Sequence, residues 1–172
     1  MERQEGNTNE AIPKAEALAQ ILTSVERLAM LYYHFASTLV AELGEEQGKA
    51  LIRKAIDAYG TEVGERQRLR VVEAGYAASC ENYKALPDLP AMAWSQDGMP
   101  KMVRHGKETP VCPLAKYWIE KGGSDLGRLY CHVDQAKYST FDPECECRHL
   151  ENVLDGDERC LIVVKKKSEW AE

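Results

Sequence analysis

The sequence predicts an α+β fold, with an N-terminal antiparallel helix pair packed on a small, mainly antiparallel C-terminal β-sheet. Three observations lead there. Up to about residue 75, apolar side chains recur at steps of three and four. Beyond residue 120, short segments alternate, and Ile162-Val163-Val164 is β-branched. Between them Pro87, Pro90, Gly98 and Pro100 break both periods over residues 86–100. A chain of 172 residues suits a single domain. Its first ten residues are expected to fray, 11–80 to form the helical half, and 100–166 to form the α+β half that carries the site.

The first helix is set by Val25, Leu28, Ala29, Tyr32, Phe35, Ala36, Leu39, Val40 and Leu43. Thr23 or Ser24 could cap it, with 11–22 either extending it or forming a separate short helix, and Gly44 supplies the stop. A second helix over about 46–75 buries Leu51, Ile52, Ala55, Ile56, Tyr59 and Val63. On the same stripe Gly60 and Gly64 permit close helix contact. His34 falls off the main stripe and reads as a surface residue. Trp94 plugs the core or walls a pocket. Pro113 suits the first turn of a short helix to Lys121, ended by Gly122-Gly123. Leu126 to Asp134 alternates like a strand. Cys147–Leu154 and Arg159–Lys165 read as a strand pair joined by an Asp-Gly turn in LDGDER.

Composition excludes several classes of function. A formal net charge of -6 opposes nucleic-acid binding, which needs a basic face. No run approaches the apolar length of a membrane span, and the polar start MERQEGNTNEAIPK shows no leader, so a cytoplasmic protein is expected. Six cysteines in such a setting are expected as reduced thiols. The expected partner is a small-molecule substrate, with no nucleic acid, no membrane and no cofactor; the oligomeric state is left open.

The chemistry concentrates in the second half. Cys112, at a helix start, faces unpaired N–H groups that favour thiolate. On a regular strand Cys131 and Asp134 would point to opposite faces, so they meet only if the backbone bulges or ends near Val133. Asp134 as the N-cap of a helix over 135–138 is the structural alternative. Asp157 follows the turn glycine Gly156, and Cys160 comes three residues on. Either Glu151 or Asn152 faces Cys160, according to register. In CECRH, Cys145, Cys147 and His149 share one face if extended, which gives a second, zinc-binding reading.

CPLAKYW, GRLYCHVDQAKY and LDGDERC, with LYYHFASTLVAELGEEQGKALIRKAIDAYG before them, resemble the L-2-amino-thiazoline-4-carboxylic acid hydrolase family over residues 20–164. The most specific pieces are Cys112-Pro113, Tyr130-Cys131, Asp134, and Gly156-Asp157 with Cys160. The resemblance implies hydrolysis of a cyclic 2-aminothiazoline carboxylate toward carbamoyl-cysteine, on a route to cysteine. Such chemistry needs a nucleophile at C2, supplied by Cys131 or Cys112. Asp134 and Asp157 would hold the ring nitrogens, and His132 or His149 would move protons. Arg104 or Arg128 would receive the carboxylate. Cys160, Tyr130 and Asn152 complete the candidate site. The alternative function is a non-catalytic small-molecule or zinc-binding domain built on the same Cys/His cluster.

Overall fold

The computed structural model describes residues 11–89, 91–94, 101–103, 106–109 and 112–170. The expected fraying of residues 1–10, and Arg104, lie outside the described residues. Helix α1 (Lys14–Leu43) and helix α2 (Glu45–Glu73) are joined at Gly44, whose φ of 81° turns the chain between them. The segment before Val25 therefore extends the first helix. Its cap is Pro13, and the Thr23 and Ser24 hydroxyls instead donate back to the Ala19 and Gln20 carbonyls. Ala29 and Ala36 are buried on α1, whereas Phe35 is 64% exposed, so the outer edge of the expected stripe faces solvent.

The expected strand over Leu126–Asp134 is helical. Helix α3 (Pro113–Glu120) leads through Gly122 to α4 (Ser124–Tyr130), and α5 (His132–Phe141) follows after a break at Cys131. Alternation over nine residues is ambiguous for a short apolar run. A longer window resolves it: Leu126, Tyr130, Val133, Lys137, Tyr138 and Phe141 step by three, four or one along a helical face. Helix α5 lies against α2 where Gly60 and Gly64 leave room. A Cβ on Gly60 would stand 2.8 Å from the Val133 carbonyl oxygen, and one on Gly64 would collide with that of Lys137. The close-contact role expected of both glycines is what the structure shows.

Among the described residues four strands form one antiparallel sheet in the order β1-β2-β4-β3, with β1 Lys101–Val103, β2 Gly106–Thr109, β3 Cys145–Glu151 and β4 Cys160–Lys166. The α+β class holds, and the sheet extends the expected hairpin by the β1–β2 pair. Cys160 pairs with Thr109 of β2, and Glu151 with Leu161, so neither expected facing of Cys160 occurs. The register of β3 slips between His149 and Glu151. An extra residue at that point shifts the inward-facing set by one, so His149 and Asn152 turn the same way.

One apolar core gathers Ile52 and Ile56 of α2 around Leu114, Trp118, Tyr130 and Leu154. Trp118 Nε1–H donates to the Ala29 carbonyl at 2.9 Å, and Tyr32 O–H to that of Leu126 at 2.6 Å, which ties α3 and α4 to α1. The other core holds Val71, Tyr83, Tyr138, Phe141, Cys145 and Cys147. Here Cys80 and Cys145 form a disulfide, with Cα atoms 5.4 Å apart, against the expectation of six reduced thiols.

Candidate active site

Between α1, α5 and the sheet lies a cavity of about 720 Å³. Its walls include Ile21, Val25 and Leu28 of α1, together with Trp94 and Trp118. Trp94 thus walls a pocket. Five of the expected catalytic residues reach it: Cys112, Cys131, Asp134, His149 and Cys160; so does Tyr130. The condition that Cys131 and Asp134 turn toward one cavity is met by the helix break at Cys131. There Asp134 N–H donates to the Cys131 carbonyl at 3.2 Å, within a single turn.

Asp134 anchors the polar floor. Its Oδ1 accepts from Lys137 Nζ at 2.9 Å and its Oδ2 from His149 Nε2 at 3.0 Å. Burial alone would raise its pKa; the Lys137 charge and the His149 hydrogen bond outweigh that and hold the carboxyl far below its ordinary value. Lys137 Nζ also donates to Asp88 Oδ2 at 2.9 Å, and Tyr83 O–H reaches the same oxygen at 2.9 Å. Burial opposes the charge on Lys137, but Asp134 and Asp88 outweigh it and keep the ammonium protonated well above its ordinary range.

The Asn152 amide links Asp134 and His149 to the thiol. Its Oδ1 accepts from Leu154 N–H at 3.0 Å, which fixes the amide orientation. Its Nδ2 therefore donates, to His149 Nδ1 at 3.1 Å and to Cys131 Sγ at 3.6 Å. His149 then carries its proton on Nε2, directed at Asp134. The result is one hydrogen-bonded chain, Asp134–His149–Asn152–Cys131.

Three expectations fail on geometry. Asp157 does not line the cavity; it is exposed, and its Oδ2 accepts from Asn152 N–H at 2.7 Å, so it positions the Asn152 backbone. His132 packs against α2, with Nε2 2.9 Å from Arg53 Nη1. Arg128 turns to Asp155 at 2.8 Å. The zinc reading also fails. Cys145 and Cys147 do share an inward face with His149, but Cys145 is tied to Cys80, and among the described residues no three His, Cys, Asp or Glu gather as metal ligands.

The electrostatics of the thiols also run against expectation. The N–H groups of Ala115 and Leu114 do reach Cys112, as its helix-start position implied. Burial is the larger effect and pushes this thiol up to about 11. It pushes Cys131 up to about 12, against the Asn152 hydrogen bond, and raises Cys160 as well.

The model of the L-2-amino-thiazoline-4-carboxylic acid hydrolase family matches residues 24–163, most of the chain. The chain belongs to that family. No curated protein and no solved structure matches it. This member of the L-2-amino-thiazoline-4-carboxylic acid hydrolase family lines its cavity with Lys137 and Asp88, and sequence reasoning missed both. Asp134 and Lys137 stand three apart, a spacing that pairs side chains only on a helix, and the strand assignment concealed it. Asp88 sits in LPDLP with no local signal of burial. Among the described residues, no helix is long and apolar enough to cross a membrane.

Proposed function

We propose that this chain is a hydrolase that opens a small cyclic amidine of the 2-amino-thiazoline kind, with Cys131 as nucleophile and Asp134 holding the ring. The observation that carries this reading is the chain Asp134–His149–Asn152–Cys131, in which Asp134, His149 and Cys131 line a ligand-sized cavity.

With its pKa pushed up to about 12, Cys131 exists as thiolate at only about one part in 10⁵ at pH 7. The buried carboxylate beside it is a poor base because its pKa is depressed. A neutral amidine supplies the missing base. Its ring nitrogen takes the Sγ proton, which leaves a thiolate beside an amidinium carbon, and Asp134 stabilises the cation. The Sγ–C2 bond forms. If the ring C–N bond then breaks, the departing nitrogen keeps the proton; if the C–S bond breaks, that proton passes from the ring nitrogen to the departing sulfur. Water displaces Cys131 from the adduct and returns it as a thiol, so each turnover consumes one water. His149 and Asn152 position the two reacting groups, and Asp157 positions Asn152.

A second reading, a non-catalytic small-molecule-binding domain, is favoured by the raised pKa of all three cavity thiols. One assay separates the two. Wild type, Cys131→Ala, Cys112→Ala and Cys160→Ala are incubated with 2-aminothiazoline and its 4-carboxylate, and ring opening is followed by chromatography. The hydrolase reading expects turnover by wild type and at least a hundredfold loss in Cys131→Ala alone. Equal rates in wild type and Cys131→Ala would remove Cys131 from the chemistry. Binding without turnover in wild type would establish the second reading.

A further inference from the structure

We infer that the Cys80–Cys145 disulfide is a thiol-exchange site, attacked at Cys80 by small-molecule thiols, and that its reduction loosens a strap that carries Asp88 and Leu89 to the cavity. The inference is independent of the hydrolase reading, because the strap reaches the cavity whatever the cavity binds.

The strap is residues 80–89. It opens with a short 3₁₀ helix, Cys80–Ala85, and ends on Asp88 and Leu89, which both line the cavity. Its covalent hold is at its first residue, bonded to Cys145 of β3. Its other holds are weaker contacts. Cys80 N–H donates to Asp142 Oδ2 at 2.9 Å. Gln67 Nε2 of α2 donates to the Tyr83 and Leu86 carbonyls at 3.1 and 2.9 Å. The Tyr83 ring lies 4.1 Å from that of Tyr138, and its O–H donates to Asp88 Oδ2, the oxygen that also accepts from Lys137. Disulfide, Tyr83, Asp88 and Lys137 are thus successive links from β3 to the cavity floor. Ahead of the strap the chain is free to follow it: Gly75, at a φ of 89°, turns out of α2, and residues 74–77 are exposed. With the disulfide open, the strap peels away at the cost of those contacts alone.

The two half-cystines differ in access. Cys145 is fully buried in the second core, whereas Cys80 is half-buried at the start of the strap. An incoming thiolate therefore meets the Cys80 sulfur, and the narrow approach favours a small thiol over a protein dithiol. The new bond joins the incoming sulfur to Cys80 Sγ. The Sγ–Sγ bond breaks, and its electron pair leaves on Cys145 Sγ, which takes up a proton and stays behind as a buried thiol. A second small thiol attacks the sulfur of the adduct and expels Cys80 as thiolate, which is protonated in turn. Two small thiols are oxidised to one disulfide, and Cys80–Cys145 is reduced to two thiols.

The test treats the full chain with L-cysteine under argon. Acid-quenched samples are mapped by peptide mass, and the reduced protein is compared with the untreated one in two ways. The first is the rate of tryptic cleavage after Lys84, an exposed residue within the strap, where cleavage requires the strap to leave its place. The second is iodoacetamide labelling of the cavity thiols Cys112, Cys131 and Cys160 once L-cysteine has been removed. The cysteine adduct is expected on Cys80, with cleavage at least about tenfold faster, cavity labelling at least about threefold faster and the helical circular dichroism retained. An adduct on Cys145, or a disulfide that resists L-cysteine until urea unfolds the chain, overturns the exchange site. Unchanged cleavage or labelling in reduced protein overturns the link to the cavity, and so does loss of the helical signal, because the strap would then not open by itself. Cys80→Ala/Cys145→Ala should show the faster cleavage and labelling without L-cysteine and respond no further to it; a further response assigns the effect to another cysteine and overturns the inference. No readout involves turnover, so absent ring opening leaves this inference standing, and its failure leaves the hydrolase reading standing.

Discussion

Replacing Lys137 with Met isolates the ion cluster beneath the cavity. Lys137 is 11% exposed at its side chain and stands between Asp134 at 17% and Asp88 at 22%. Removing one partner of a buried pair costs about 3–5 kcal/mol, because the other charge stays behind uncompensated. Two features set the value at the low end. All three side chains keep some solvent, and each carboxylate retains one donor, His149 Nε2 on Asp134 and Tyr83 O–H on Asp88. The expected loss is therefore about 3 kcal/mol at pH 8, or a fall in Tm of roughly 6–12 °C for a chain of this size. The pH dependence carries the sharper information. In wild type the Asp134 pKa lies below its unfolded value, so its stabilisation is present above about pH 4 and is lost as pH falls through the lower, folded value. Without Lys137, burial acts with less opposition and lifts the carboxyl. The group then destabilises the fold above its raised pKa, and that penalty fades as pH drops through it. Urea unfolding followed by tryptophan fluorescence should show the full deficit at pH 8 and a smaller one at pH 5. A deficit below 1 kcal/mol at pH 8, or an equal deficit at both pH values, would falsify the account of the cluster.

Further outcomes follow from the same contacts. Gly64→Ala should lower stability by about 1–3 kcal/mol, since its Cβ runs into the Lys137 carbonyl and α2 must separate from α5; thermal melting checks this. The 65-residue span closed by Cys80–Cys145 should contribute about 2–4 kcal/mol, read as the shift in urea midpoint between wild type and Cys80→Ala/Cys145→Ala; no shift refutes it. Thiol titration of unfolded, unreduced protein should count four reactive groups, rising to six after reduction. In the native protein at pH 7.5, Cys131 should alkylate with iodoacetamide about a thousandfold more slowly than a free thiol, because its pKa of about 12 leaves little thiolate; a rate near that of free cysteine contradicts the burial. Asp157→Ala should remove the acceptor for the Asn152 N–H, cost about 1–3 kcal/mol, and lower kcat more than it raises KM.

How much of this was legible in the sequence depends on which physical signal each residue left. The helix pair was readable because its period persists over dozens of residues, and the glycines at 60 and 64 because a small residue on a buried stripe has few other uses. The family resemblance likewise brought Cys112, Cys131, Asp134 and Cys160 forward together, and the cavity unites them. The backbone that unites them was misread. Over Leu126–Asp134 the strand alternation and the helical steps coincide for too few positions to be separated, and only the continuation to Phe141 decides between them. That one choice separated Cys131 from Asp134, hid the pairing of Asp134 with Lys137, and sent His132 and Arg128 toward a site they do not reach. The slip in β3 is a second case. A regular strand sends His149 and Asn152 to opposite faces, and one extra residue brings both inward to link Asp134 with Cys131. Asp88 and the Cys80–Cys145 bond left no trace in spacing at all, since each depends on where a distant segment lands. What the sequence revealed was therefore a set of side chains that meet at the cavity. Their charge state came from burial: the thiol placed at a helix start is pushed up to about 11 despite the N–H groups that reach it, because removing a thiolate from water outweighs two partial charges.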